Sequence, residues 1–152
     1  MGNKGWYCKM IDRFMKEYRW LSNFYTCDVE YRGLKFKSAE AAFQAQKCPI
    51  AAKSFTRLSP NKAKAKGRAM PLRSDWETVK DTIMYDIVKA KFNQNEDLKQ
   101  ALLDTGDEEL VEGNTWNDLY WGRDLYTNKG KNKLGQILMK VREEIRVQSK
   151  SE

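Results

Sequence analysis

The segment Glu112-Gly113-Asn114-Thr115-Trp116-Asn117-Asp118-Leu119-Tyr120-Trp121-Gly122-Arg123-Asp124 sets Trp116, Tyr120 and Trp121 among Asn114, Asn117 and three carboxylates. Neither a helical period nor a two-residue alternation of apolar positions survives through it, so it reads as an ordered loop between elements. Glycines near both ends and several Asx residues favour turns, and long structured loops carry function disproportionately. Rings beside amides and carboxylates can hold a flat polar ligand, because rings supply stacking area and polar groups fix orientation. The same residues suit a loop whose tryptophans plug the core and whose Asn and Asp cap turns. Composition supports both readings.

The flanks of this loop are more regular. Glu109-Leu110-Val111 suits a short strand entering it, and Leu134, Ile137, Leu138, Val141 and Ile145 mark a C-terminal amphipathic helix. Upstream, Ser74-Asp75-Trp76-Glu77 has the form of a capping box, followed by Trp76, Val79, Ile83, Met84, Ile87 and Val88 at helical spacing. A shorter helix beginning at Asn93 or Asn95 runs through Leu98, Ala101 and Leu102 to Thr105-Gly106-Asp107. Ser59-Pro60 opens a helix carrying Lys62, Lys64 and Lys66 to Gly67-Arg68. Ser38 is the N-cap expected for a helix reaching about Lys47, with Glu40 in its first turn. Glu40 there has a plain role as a surface carboxylate complementing the helix dipole. Val29-Glu30-Tyr31 and Leu34-Lys35-Phe36 flank Arg32-Gly33 as a hairpin, and Ser22-Asn23 interrupts an apolar patch as a turn. Residues 1–7 and 148–152 are expected to be loose ends. These elements predict a helix-dominated α+β fold with a small β-sheet, in a single domain over residues 1–152 with its core at about 12–147.

Composition narrows the chemistry. The chain has 152 residues, 28 Lys plus Arg against 21 Asp plus Glu, a formal charge of +7, and no histidine. The surplus charge favours anionic ligands such as phosphate or nucleic acid. Without histidine, Ser–His and Cys–His nucleophiles and the common zinc sites are excluded, leaving carboxylates, lysine, tyrosine or cysteine for proton transfer. Cys8, Cys27 and Cys48 are too few and too far apart for a disulfide framework or a zinc motif. No apolar run approaches membrane-spanning length and the start has no secretory character, so no membrane association and a cytoplasmic location are expected.

Taken in order, several stretches resemble the NADAR superfamily of YbiA-like N-glycosidases. They are Trp20-Leu21-Ser22-Asn23-Phe24-Tyr25, Ser38-Ala39-Glu40-Ala41-Ala42-Phe43-Gln44-Ala45-Gln46-Lys47, Ala63-Lys64 with Gly67-Arg68, and Arg73-Ser74-Asp75-Trp76. Lys91-Phe92, Leu103-Asp104-Thr105-Gly106-Asp107, Glu112 to Asp118 with Trp121-Gly122, and Asn132-Lys133-Leu134-Gly135 complete the set. Lys16 stands where the pattern has glycine, and Asn117 where glycine is common.

The resemblance implies hydrolysis of a C–N bond between a ribose and an amino-bearing base, with neither a metal nor an organic cofactor. Family substrates include phosphorylated ribosylamino-pyrimidine intermediates of riboflavin synthesis. Some members remove ADP-ribose from guanine in nucleic acid, so nucleic acid enters as a possible modified substrate. Breaking an N-glycosidic bond builds positive charge on the anomeric carbon, which one carboxylate can stabilise while a second acid protonates the departing nitrogen. Glu40 and Asp118 are the carboxylates inside matched motifs, expected in one pocket walled by Trp76, Trp116 or Trp121. Lys64 and Arg68 are the expected phosphate ligands, and Ser22 and Asn23 can bond the phosphate or ribose. Phe24, Gln44, Trp76, Asn114, Trp116 and Trp121 complete the expected substrate-binding set, although Trp76 also begins the core stripe. The competing readings are an ADP-ribosyl glycohydrolase, a silent ADP-ribose- or nucleotide-binding module, and a basic nucleic-acid-binding protein. Scattered lysines without a concentrated basic stripe weigh against the last. Oligomeric state has no signal in the sequence.

Overall fold

The computed structural model describes residues 9–151. The expected loose end over residues 1–7, and Cys8, lie outside the described residues. Two compact units emerge, one spanning Asn23–Lys99 and the other formed by the described residues on either side of it.

Strand β1 (Met10–Ile11) belongs to the other unit, and the Asn23–Lys99 unit begins with a hairpin. The hairpin itself is β2 (Thr26–Tyr31) against β3 (Leu34–Ser38), antiparallel, with Val29 opposite Phe36 and Tyr31 opposite Leu34. Arg32 and Gly33 both take positive φ (51° and 80°), the geometry that a two-residue turn needs to match strand twist. Alternation places Val29 and Phe36 inward, where α1 and α3 cover them. Ser38 ends β3 and caps α1 (Ala39–Ala45), its Oγ accepting the Ala41 N–H at 3.1 Å. Every residue of α1 is buried. Ala39, Ala41, Ala42 and Ala45 make that possible, because short side chains let neighbouring elements close on the helix from all sides. A 3-10 helix (Pro49–Phe55) leads to α2 (Pro60–Ala69), which opens at Ser59-Pro60 as expected, with the Ser59 side chain accepting the Lys62 N–H. Then α3 (Trp76–Gln94) buries Ile83, Met84, Ile87, Val88 and Phe92. Its end is pinned to the hairpin: Gln94 exchanges two hydrogen bonds with the Glu30 backbone (2.7 and 2.8 Å), and Asn95 Nδ2 donates to the Asp28 carbonyl at 3.0 Å. Next, α4 (Glu96–Asp104) starts in this unit and ends in the other.

In the second unit, β1 runs parallel to β4 (Glu109–Leu110), and β5 (Gly113–Asn114) runs parallel to β6 (Arg123–Asp124). A 3-10 helix covers Lys16–Leu21, and α5 (Lys133–Lys150) buries Leu134, Leu138, Val141 and Ile145. Arg142, also buried, donates to Thr105 Oγ1 and the Glu108 carbonyl (both 2.9 Å), tying the turn after α4 to α5.

The fold is the expected helix-dominated α+β, with several local corrections. Instead of one small sheet there are three two-stranded sheets among the described residues, each strand pairing with a single partner. The capping box at Ser74–Glu77 does not form. Helix α3 starts at Trp76 with Asp75 at the cap, and the Asp75 carboxylate is taken by the Arg73 guanidinium (2.6 and 3.0 Å) instead of a helix N–H. That pairing lowers the Asp75 pKa. Helix α1 stops at Ala45, short of Lys47, and α5 stays helical to Lys150, past the point where a loose end was expected. Glu40 is no surface residue: it is 7% exposed.

Candidate functional site

Glu40 sits in the first turn of α1, and its own N–H donates to the Asn23 carbonyl at 2.9 Å. Its Oε2 accepts from Gln44 Nε2, one helical turn on, at 2.7 Å. Gln44 is 4% exposed, and its Oε1 has no hydrogen-bond partner among the described residues. That oxygen faces Gly67 of α2, where any Cβ would collide with it. Lys47 lies just past the end of α1. Burial pushes its ammonium pKa down, the Glu40 charge pushes it up, and Arg68 and Lys64 push it down again. Lys47 Nζ is 5.8 Å from the centroid of the Trp76 ring, which packs on Phe43 at 5.0 Å, and Lys64 Nζ is 5.7 Å from the Phe24 ring. These distances are within cation–π range. The unit therefore gathers a buried carboxylate, Lys47 just past the end of α1, two cations of α2, and aromatic faces.

The aromatic loop of the second unit is held by its own polar side chains. Asn114, fully buried, accepts the Asp118 N–H (3.0 Å) and donates to the Asp118 carbonyl (3.0 Å) and to Glu112 Oε2 (2.9 Å). Asp118 Oδ1 accepts the N–H groups of Tyr120 (3.2 Å) and Trp121 (3.0 Å), as an Asx turn does. Oδ2 takes no part in that turn. The carbonyls of residues 119–122 then accept N–H groups from residues 131–134. The first amides of α5 are thereby occupied, so this helix start offers no ready anion site. Asn132, at φ 53°, turns the chain into α5 while its amide bonds the Glu112 N–H (2.9 Å) and the Leu110 carbonyl (3.0 Å). Tyr120 and Trp121 meet edge to face at 4.8 Å, with Lys131 Nζ 5.3 Å from the Tyr120 ring, while Trp116 is 56% exposed.

Of the expected residues, Asn23, Phe24, Glu40, Gln44, Lys64, Arg68 and Trp76 belong to the first unit, and Ser22, Asn114, Trp116, Asp118 and Trp121 to the second. Within the first, Glu40 and Gln44 touch, and Lys64 and Arg68 act on the charge of Lys47. Asn23 supports Glu40 through its backbone while its side-chain amide contacts Met84 Sδ at 3.4 Å. Asn114 spends its amide on the loop. Turn capping, the plain reading of the loop's Asx residues, is what Asn114 and Asp118 Oδ1 do. Two groups were not anticipated. Lys47 follows Glu40 and Gln44 at a helical spacing visible in the sequence, although α1 itself ends at Ala45. Lys91 stood in a matched stretch without any role attached: it is fully buried on α3 beside the Tyr25 and Phe92 rings, and burial lowers its pKa to about 8. Among the described residues no three His, Cys, Asp or Glu side chains are placed to hold a metal ion, and no helix is long and apolar enough to cross a membrane.

Comparison with known proteins bears on this arrangement. The family profile described as the NADAR domain matches residues 11–146. The N-glycosidase YbiA of Escherichia coli is 37% identical over 137 residues, covering 87% of this chain and 84% of that protein. An N-glycosidase of Nostoc punctiforme is 39% identical over 138 residues, covering 85% and 86%. A riboflavin biosynthesis protein of Vibrio vulnificus is 37% identical over 135 residues, which is 82% of this chain and 35% of that longer protein. The solution structure of Escherichia coli YbiA superposes with a TM-score of 0.85 at 34% identity, covering 95% of this chain and 89% of that one. The chain belongs to the NADAR family.

Proposed function

We propose that the chain hydrolyses the C–N bond between a phosphorylated ribose and an amino-bearing base, with ribosylamino-pyrimidine phosphates of riboflavin synthesis as the substrate class. Family membership and relatives named as N-glycosidases make it a hydrolase of N-glycosyl bonds. Likeness to a riboflavin biosynthesis protein supports the pyrimidine substrate. The observation that carries the reading is the buried Glu40 carboxylate beside Lys47, with Lys64 and Arg68 in the same field. Negative charge for the anomeric carbon and positive charge for a phosphate thus sit in one unit, as a ribose phosphate requires.

In this mechanism Glu40 works ionised. The Gln44 amide donates to its Oε2, and a donor favours a carboxylate over a carboxylic acid. As the C–N bond lengthens, the Glu40 charge stabilises the cation on the anomeric carbon. Asp118, the second carboxylate inside a matched motif, has its Oδ1 anchored by two backbone N–H groups. Water adds to the anomeric carbon, its second proton ends on the departing nitrogen, and ribose 5-phosphate and the free amine are released. The reaction consumes only water. Lys64 and Arg68 hold the phosphate, and Phe24 and Trp76 supply rings to the ribose or base.

A second substrate, ADP-ribose on guanine, presents the same anomeric carbon and an exocyclic nitrogen. The exposed Trp116 ring favours it, since it offers a stacking face to a larger, base-bearing substrate. Incubation with ribosylamino-pyrimidine 5-phosphate, its dephosphorylated form and ADP-ribosylated guanine DNA separates the readings by chromatography of released base. The proposal expects rapid release from the first, little from the second and less from the third. Release from the ADP-ribosylated DNA alone moves the assignment to the second substrate. Binding of ADP-ribose without release from any substrate makes the chain a binding module.

A further inference from the structure

We propose that Gln44 is the positioning residue for the Glu40 carboxylate and that Gly67 of α2 locks it in that role; the inference rests on the reading of Glu40 as the charged partner of the anomeric carbon. On an exposed helix a pair four residues apart contributes little, because water competes for both partners. Here both side chains are buried, and the bond from Gln44 Nε2 to Glu40 Oε2 is 2.7 Å, short for an amide donor, as expected when the acceptor is charged. The amide has one workable orientation. Reversing it would set two acceptors, Gln44 Oε1 and Glu40 Oε2, against each other.

Stability alone does not favour a glutamine at this position. Its Oε1 is buried without a partner among the described residues, and methionine would fill a similar volume without stranding an acceptor. Nor does local preference favour Gly67. Glycine inside a helix is a weak choice, but a Cβ there would overlap Gln44 Oε1 and stand 2.9 Å from its Cδ. Two locally unfavourable choices, on two helices, meet on one amide, and the other end of that amide holds Glu40. Their shared consequence is a carboxylate kept in one orientation. The charge of Glu40 acts on Lys47, just past the end of α1, and Lys47 in turn feels the cations Lys64 and Arg68 of α2.

The test compares kcat/KM against pH, kcat, KM and thermal midpoint for Gln44→Met, Gly67→Ala and Glu40→Gln, with ribosylamino-pyrimidine 5-phosphate as substrate. Loss of one hydrogen bond to the reacting carboxylate is expected to lower kcat about tenfold in Gln44→Met, with KM nearly unchanged. The acidic limb should move to higher pH, while the thermal midpoint stays level or rises because the stranded acceptor is gone. Gly67→Ala should show the same shift by pushing the amide aside, and the double variant should lose little more than either single one. If Gln44→Met fails to fold, the shift in Gly67→Ala carries the test. Loss of activity in Glu40→Gln with a native pH profile and kcat in Gln44→Met overturns this inference alone. Full activity in Glu40→Gln overturns the Glu40 reading and this inference with it.

Discussion

Lys16 holds a left-handed backbone at φ 54°, and Asn117 does the same at φ 64°. These are the two positions where the resemblance leads one to expect glycine, and glycine occupies that region without strain, with asparagine next best. Asn117 is therefore a mild departure and Lys16 a costly one. Lys16→Gly is expected to stabilise the protein by about 1 kcal/mol, raising the melting temperature by roughly 2–4 °C. Lys16→Ala should not, and an equal gain from both would show that the lysine side chain, not the backbone, is at fault. Lys91 is the second residue whose cost can be measured. Burial lowers its pKa from 10.5 to about 8, with Cys27 the nearby titratable group that opposes the shift. Between those values the unfolded chain binds the proton more tightly than the folded one, so stability rises as pH increases from about 8 toward 10.5. The full relief is on the order of 3 kcal/mol. Lys91→Met should be at least as stable as the parent at pH 7 and should show a flatter rise above pH 8 in urea melts. An undiminished rise in the variant would assign it to other groups.

At the scale of elements, the start of α5 decides how the aromatic loop is held. Gly135 lies in its first turn, and a Cβ there would collide with the Leu110 carbonyl of β4 and with the Asn132 amide that bonds both loop entrance and strand. Intrinsic propensity favours alanine over glycine in a helix by about 1 kcal/mol. Overpacking against backbone costs typically 1–3 kcal/mol, and here it also displaces the Asn132 hydrogen bonds, so the clash wins. Gly135→Ala should lower the urea midpoint by the equivalent of about 2 kcal/mol. A midpoint raised by Gly135→Ala would mean that α5 and β4 do not approach this closely. The amphipathic period of α5 was plain in the sequence, whereas this contact was not, because helical spacing says which face is buried and nothing about which residue must be absent. The same limit explains the Ser74–Glu77 misreading. A capping pattern names residues able to cap, but the Arg73 guanidinium competes for Asp75 with a stronger, charge-assisted pair.

For the whole molecule, what was legible followed burial and periodicity. The Arg32-Gly33 hairpin, the Ser38 and Ser59 caps and the long helices all rest on local chemistry that a sequence displays. Illegible were the parallel pairings of two-residue strands, which depend on distant partners, and the buried charges Lys91 and Arg142, whose neighbours come from other elements. The candidate site divides similarly. Glu40, Gln44 and Lys47 stand at helical spacing, and their link to Gly67, Lys64 and Arg68 required the α1–α2 packing. Asp118 was visible as a carboxylate in a loop, but not its engagement by the Tyr120 and Trp121 amides. The formal charge of +7 suits a phosphorylated substrate without identifying it. We propose that Glu40 and Asp118 are each needed for cleavage of the N-glycosidic bond. Single-turnover rates on ribosylamino-pyrimidine 5-phosphate, for the parent, Glu40→Gln and Asp118→Asn, test it most directly. Each isosteric change should slow cleavage by about 10² or more, the scale of acid–base and charge-stabilising groups, with the melting temperature nearly unchanged. Parental rates in either variant would contradict the two-carboxylate mechanism and return that residue to capping its helix or turn.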